Sequence, residues 1–188
     1  MSQRYFLIEW ILANIAALLV GSMLGATDGG LVRGVAGDIL LGGSVGVAQW
    51  WVLRRHLGSR PGLWWWLPAT AFGYAAGVVL GRRFAPMITT DHLLLGFVFG
   101  VFVGVLVGVG QAAALRRFYQ NNEAVLHWFM VSLVAWIVAE VVAFVFYFRL
   151  EGVPFVALSM ALITGLALLV FMPSLTSTFE GYSVTEHN

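Results

Sequence analysis

Cysteine and lysine are both absent from the 188-residue chain, and charged residues make up only 10% of it. Without cysteine the chain has no disulfides, no thiolate metal ligands and no cysteine nucleophile. All ten basic residues are arginines and the formal net charge is +1, so no basic tail or patch indicates nucleic-acid binding. The charged residues are also too few to cover a soluble globule of this size.

Signatures of catalysis are missing as well. No GxSxG, HExxH, P-loop or dinucleotide-binding pattern occurs in a usable structural context. His56, His92 and His127 could in principle ligate a haem or a pigment, but they lie at or near the ends of apolar runs and form no pair at matched mid-membrane depth. We therefore expect a protein that is not an enzyme, with no catalytic residue, no metal and no cofactor.

Apolar residues are what the chain has in abundance. They make up 60% of it, the mean hydropathy is +0.89 and there are 22 glycines, which indicates that the protein uses lipid as its solvent. Six apolar runs are each about long enough to cross a ~30 Å hydrocarbon core. They cover residues 6–26, 31–53, 63–81, 93–115, 124–148 and 153–172, with turn-forming residues at 28–30, 60–62, 82–91, 121–122 and 152–154.

One segment of the chain occurs twice. Residues 42–55 return as residues 104–117 with eight of fourteen positions identical, including a Gly-x3-Gly-x2-Gln-x3-Leu pattern that places the four residues on one helical face before an Arg pair. The first run shares a second pattern with the third, since Trp10 and Asn14 correspond to Trp66 and Thr70, and this favours a spanning helix there over a cleaved leader. A degenerate third copy is expected at residues 162–165.

These patterns predict an all-α integral membrane protein. Its six transmembrane helices would form three pseudo-repeat hairpins, about 1–55, 56–117 and 118–173, in one membrane domain of residues 1–173 with a short polar tail at 174–188. The repeats are parallel, because an even number of helices separates equivalent positions. Small residues recur at every fourth position and predict helices packed through small-xxx-small faces. They are Gly34, Asp38, Gly42 and Gly46; Ala69, Gly73, Gly77 and Gly81; and Gly96, Gly100, Gly104 and Gly108.

Asp38 and Glu140 are the strongest candidates for a functional site, because ionisable groups at membrane depth are costly and usually mark pathways, relays or buried pairs. Both are predicted ~10 Å inside the same face, where two carboxylates could share a proton or bind a cation. Structural roles are the alternative. Asp38 could be the N-cap of its helix, and Glu140 could pair with Arg149 or Arg33 or accept a hydrogen bond from a tyrosine.

A second candidate site combines amides and guanidiniums near the other ends of the helices. Gln49 and Gln111 each lie about one turn inside an Arg pair. The amides could simply join neighbouring helices, or they could form with the arginines a ring that holds an anionic lipid headgroup or a partner subunit. The arginines of this candidate headgroup or partner site are Arg54, Arg55, Arg116 and Arg117.

The distribution of arginine and tryptophan predicts the orientation. The face with the termini carries six arginines against four on the other, and seven of the eight tryptophans lie near it. We therefore expect a bacterial cytoplasmic membrane protein with both termini in the cytoplasm.

The GxxQWWxLRR run at residues 46–55, followed by a Trp- and Gly-rich span, resembles a family of small polytopic bacterial membrane proteins without an assigned function. The likeness covers residues 31–172 and implies a fold and a membrane location only. Three functions are consistent with the sequence. The first is an accessory or scaffolding subunit that associates with other membrane subunits or with itself; the second is a small transporter or proton/cation channel using Asp38 and Glu140; the third is a lipid- or quinone-binding protein.

Overall fold

The computed structural model describes residues 3–26, 34–117, 119, 121–146 and 152–183 of the chain. Over these residues the regular structure is entirely helical, without strands, which confirms the predicted all-α class. There are six α-helices: α1 Gln3–Gly21, α2 Val35–Leu57, α3 Trp66–Ile88, α4 His92–Arg116, α5 Asn122–Val145 and α6 Val153–Ser183. A short π-helical turn, Ser22–Ala26, extends α1, and a 3₁₀ turn, Leu63–Trp65, precedes α3.

Five of the six helices are long and apolar enough to cross a membrane. The exception is α2, whose 23 residues include Asp38, Gln49 and the arginines of its last turn. The length and apolar character of these helices are consistent with the membrane class expected from the composition.

Two predicted helix ends are wrong. The chain was expected to leave α3 at Gly81, but the helix continues to Ile88 and includes Pro86. Pro86 costs α3 the one hydrogen bond that its missing N–H would donate to the Arg82 carbonyl, and the helix ends two residues later. The Thr89 N–H still bonds the Ala85 carbonyl at 3.1 Å. Similarly, α6 runs on to Ser183, so much of the predicted tail is helical. The predicted turn at 28–30 lies outside the described residues.

The helices pack as a closed ring in chain order. Each one contacts its neighbours in sequence, and α6 also packs against α1. Neighbouring helices from α1 to α5 are antiparallel, because contacts on one helix move forward as those on the next move back: Gly73 faces Val107 while Gly77 faces Val103. In this ring α2 and α5 lie opposite each other.

Glycines lie where the backbones approach most closely. A Cβ atom built at Gly77 would lie 2.5 Å from the Cα atom of Val103, and one at Gly104 would lie 3.0 Å from the Cα atom of Leu133. Such distances leave no room for a side chain, so these helix pairs are in direct backbone contact.

The interior contains two apolar clusters. The first lies at the end of the ring that carries the Arg pairs, here called the Arg-pair end, and includes Phe6, Trp10, Leu53, Trp66 and Trp128. The second fills the rest of the ring towards the opposite end. It includes Leu41, Val45, Val78, Val103, Val107, Ala135, Ala139 and Met160, all less than 5% exposed.

Candidate functional site

Asp38 and Arg82 form a bidentate ion pair inside the ring. The Arg82 Nη1 and Nη2 atoms donate to the two carboxylate oxygens of Asp38 at 2.8 and 3.1 Å. Asp38 is 1% exposed, whereas the side chain of Arg82 remains 49% exposed and reaches from α3 towards the opposite end of the ring. Parallel hydrogen bonds of this kind fix both geometry and charge, so the pair ties α2 to α3.

Glu140 approaches this pair from the other side of the ring. It is 5% exposed on α5 and lies close enough to Asp38 and Arg82 to interact with both electrostatically. Tyr74 of α3 is buried within the same range of the two carboxylates, and its ring packs on Trp136 with centroids 5.3 Å apart. We call Asp38, Arg82, Tyr74 and Glu140 the carboxylate cluster.

The cluster decides between some of the predicted roles. Asp38 is not an N-cap: α2 begins at Val35, and its N-cap is Gly34, whose φ of 71° suits glycine. The partner of Asp38 is Arg82, which the sequence prediction placed in a loop. Arg33 and Arg149, the partners proposed for Glu140, lie outside the described residues. Among the described residues, no side chain forms a hydrogen bond or ion pair with the Glu140 carboxylate.

The glutamines form a second buried polar group nearer the Arg-pair end. The Gln111 amide donates to the Gln49 carbonyl oxygen at 3.1 Å and to the Thr70 hydroxyl at 2.9 Å. The Gln49 side-chain amide donates to the side-chain oxygen Oδ1 of Asn14 at 2.9 Å. Both glutamine side-chain oxygens also accept a hydrogen bond from an indole N–H. Trp66 donates to Gln49 Oε1 at 3.0 Å, and Trp128 donates to Gln111 Oε1 at 3.2 Å.

These contacts form one continuous amide–indole network across α1 to α5. Over the described residues, no buried polar side-chain atom is left without a hydrogen-bond partner. A fully satisfied network of this kind specifies one arrangement of helices, since any slip would leave polar groups unpaired away from water.

The hydrogen bonds favour a different alignment for the degenerate third copy that the sequence predicts at residues 162–165. In each odd-numbered helix from α1 to α5, a tryptophan is followed four positions later by a polar residue. The pairs are Trp10 and Asn14 in α1, Trp66 and Thr70 in α3, and Trp128 and Ser132 in α5. In α6 the pattern is Ala157, Ala161, Thr164 and Leu168, with the same spacings of four, three and four. Thr164 accepts the Trp10 indole hydrogen bond at 3.0 Å. Thr164 thus takes the place of the glutamine, one residue before Gly165, which the predicted alignment put there. The register was difficult to recognise from the sequence because alanine and threonine replace the glycines and the glutamine.

The amides and the arginines do not form one site. Gln49 and Gln111 are 3% and 2% exposed and point into the ring, whereas Arg54, Arg55 and Arg116 are exposed at its end. Arg54 and Arg55 lie over the rings of Trp50 and Trp51, at 5.2 and 5.5 Å from the centroids. Arg117, also exposed, lies 4.3 Å from the centroid of Trp65.

The glycine faces, which supported docking to other subunits, are occupied within the chain. Those of α2 pack on α3, those of α3 on α4, and those of α4 on α5. Of the three candidate histidines, His56 is bonded to Glu9 at 2.7 Å, and His92 and His127 are exposed near the starts of α4 and α5. Among the described residues, no group of three or more potential metal-ligating side chains occurs.

No protein-family model, curated protein or solved structure matches the chain.

Proposed function

We propose that this chain is a six-helix protein of the bacterial cytoplasmic membrane, built from three repeated helix pairs, that transports protons by means of Glu140 in the carboxylate cluster. The observation that carries the proposal is the burial of Glu140 within electrostatic range of the buried Asp38–Arg82 pair. Asp38 and Glu140 come from α2 and α5, which face each other across the ring. The two carboxylates are thus directed to its interior and not to lipid.

The available ligands support a proton over a metal cation. Arg82 neutralises Asp38 through two hydrogen bonds, which leaves Glu140 as the acidic group of the cluster without a described ion-pair partner. A metal ion takes several ligands, and among the described residues no group of three or more acidic or histidine side chains could hold one. A proton needs only one carboxylate oxygen, and an ionised carboxylate at membrane depth is costly unless it is paired or protonated.

Packing beneath the cluster supports a transporter over an open channel. The cluster and the amide–indole network are separated along the helices by about 12 to 17 Å. This follows from the step of eight positions from Ser132 to Glu140 and of eleven positions from Asp38 to Gln49. The second apolar cluster fills that distance with buried valine, leucine, alanine and methionine side chains. Passage of a proton through this layer requires a rearrangement of helices, which is how transporters expose one site to two sides in turn.

The cluster also breaks the repeat, which favours a specific role. The positions equivalent to Glu140 are Val78 in α3 and Ser22 in α1, and the position equivalent to Asp38 in α4 is Gly100. The amide–indole network follows the repeat and serves the scaffold. The charges of the cluster occur in a single copy, which favours a role for Glu140 beyond the shared scaffold.

Purified protein reconstituted into liposomes with an entrapped pH-sensitive dye tests the proposal. A potassium diffusion potential set with valinomycin provides the driving force. The wild type is expected to carry protons faster than protein-free liposomes, and Glu140→Gln is expected to reduce the rate to the protein-free level. The matched control is Glu123→Gln, which removes an exposed carboxylate from the first turn of the same helix and should leave the rate unchanged.

Two results would contradict the proposal. One is a wild-type rate equal to that of protein-free liposomes, and the other is a Glu140→Gln rate equal to the wild type. Replacing external sodium by choline should not alter the signal. A signal that disappears with sodium would mean that the transported ion is the metal cation.

A further inference from the structure

A groove of about 290 Å³ opens on the outer surface between α3 and α4 at the Arg-pair end. Its walls are apolar and include Pro68 and Phe72 of α3 and Gly110 and Ala113 of α4. Trp65 and Arg117 lie at its mouth. Phe72 is 61% exposed and Ala113 is also exposed, so the groove faces the surroundings of the ring and not its interior.

The equivalent place in the first helix pair carries different residues. Trp51 stands there at the position of Ala113, so a half-exposed indole replaces a methyl group. Glu9 stands at the position of Trp65, and Arg55 at that of Arg117. The two form an ion pair with a 2.9 Å distance between Arg55 Nη1 and Glu9 Oε1. The first pair thus lacks both the small side chain and the unneutralised cation at this place.

The second pair has both. Arg117 lies over Trp65 and forms no ion pair with any carboxylate of the described residues. The loop between α2 and α3 packs against Arg117. Gly62 of this loop, with φ of 87°, comes so close that a Cβ built there would lie 3.0 Å from the Arg117 Cβ. A cation–π contact keeps the full positive charge available for an anion.

We propose that the α3–α4 groove binds one anionic glycerophospholipid. One acyl chain lies in the groove against Phe72, Gly110 and Ala113, and the phosphate contacts the Arg117 guanidinium beside the Trp65 indole. Lipid is the solvent of this surface, tryptophan favours the headgroup level, and basic sites between helices suit anionic headgroups. The inference does not depend on the carboxylate cluster, which lies towards the other end of the ring.

Native mass spectrometry of delipidated protein in a mild detergent tests it. The protein is titrated with dioleoylphosphatidylglycerol or dioleoylphosphatidylcholine, which share acyl chains and differ in headgroup charge. We expect one bound lipid with about a fivefold preference for the anionic one, the factor that corresponds to one arginine at a membrane surface. Arg117→Gln should abolish the preference, and Ala113→Trp, which copies the first pair, should reduce the binding of both lipids.

Arg55→Gln is the matched control, because it removes the equivalent arginine from the first helix pair. It should leave the preference for the anionic lipid unchanged. The proposal is overturned if the wild type binds both lipids equally or if Arg117→Gln keeps the preference. It is also overturned if excess inorganic phosphate displaces the lipid completely, since the site would then recognise free phosphate. Should Ala113→Trp fail to fold, Arg117→Gln still decides, because Arg117 is exposed at the end of α4.

Discussion

Gln111 donates a 3.1 Å hydrogen bond to Gln49, so the two equivalent residues of the repeated segment meet directly inside the protein. Each also accepts an indole hydrogen bond from a tryptophan of the next helix in the chain. The polar residue that marks the repeat is therefore also what joins one copy to another.

Replacing Gln111 by leucine should lower the free energy of unfolding by about 1–3 kcal/mol, because the Trp128 N–H and the Gln49 carbonyl oxygen lose a buried partner. Thermal unfolding in detergent, followed by circular dichroism, measures the effect. Ser44→Ala is the control: its exposed hydroxyl donates only to the Leu40 carbonyl of its own helix, at 2.8 Å. Equal stability of the two variants would show that the network contributes nothing.

Replacing two different glycines by alanine should have different effects on the free energy of unfolding. Gly77→Ala places a methyl group 2.5 Å from the Val103 Cα atom and should destabilise the protein by about 1–3 kcal/mol through overpacking. Gly43→Ala meets only the Ala71 Cβ at 3.9 Å, so the higher helix propensity of alanine should leave stability unchanged or raise it by up to about 1 kcal/mol. The same unfolding experiment compares them. A Gly77→Ala protein as stable as Gly43→Ala would contradict the close approach of α3 and α4.

The Asp38–Arg82 pair should show strong coupling in a double-mutant cycle. Asp38→Asn and Arg82→Met should each cost about 1–3 kcal/mol, less than the 3–5 kcal/mol of a fully buried pair because Arg82 is half exposed. The double variant should cost clearly less than the sum. Arg83→Gln, which changes the exposed neighbouring arginine, should be close to neutral. Additive single effects would mean that the two side chains do not interact in the membrane.

How far the sequence predicts this structure depends on whether a feature is local. Helical periodicity is a local property, and it predicted the six helices and the small-residue faces from α2 to α4. The partnership of Asp38 with Arg82 was missed because Pro86 indicated a loop from Arg82 onwards, and because the two residues lie 44 positions apart on different helices. A degenerate third copy was predicted at residues 162–165, but its alignment was uncertain by one residue because alanines and Thr164 replace the glycines and the glutamine of the other copies.

The absence of cysteine makes the orientation directly testable. Single cysteines placed at Ser59, at Thr90 and ahead of Met1 need no removal of background thiols. A membrane-impermeant maleimide applied to intact cells should label the Thr90→Cys protein only, since the other two positions are predicted to be cytoplasmic and should react only after permeabilisation. Labelling of Ser59→Cys but not Thr90→Cys would reverse the orientation. Labelling of the N-terminal and Ser59 cysteines from opposite sides would show that α2 does not cross the membrane.

The replacement of glycine by alanine in α6 has a consequence for how the ring can move. Ala157 and Ala161 stand where α2 and α4 have glycines, and both are fully buried. At these positions α6 therefore carries methyl groups where α2 and α4 have close backbone contacts. Across the seam between α6 and α1, a Cβ built at Gly165 would meet the side chains of Leu7 and Trp10, and the Trp10 indole donates to the Thr164 hydroxyl at 3.0 Å. This seam is thus joined through side chains, whereas the helices from α1 to α5 meet through their backbones. We expect α6 to separate from α1 more readily than those helices separate from one another.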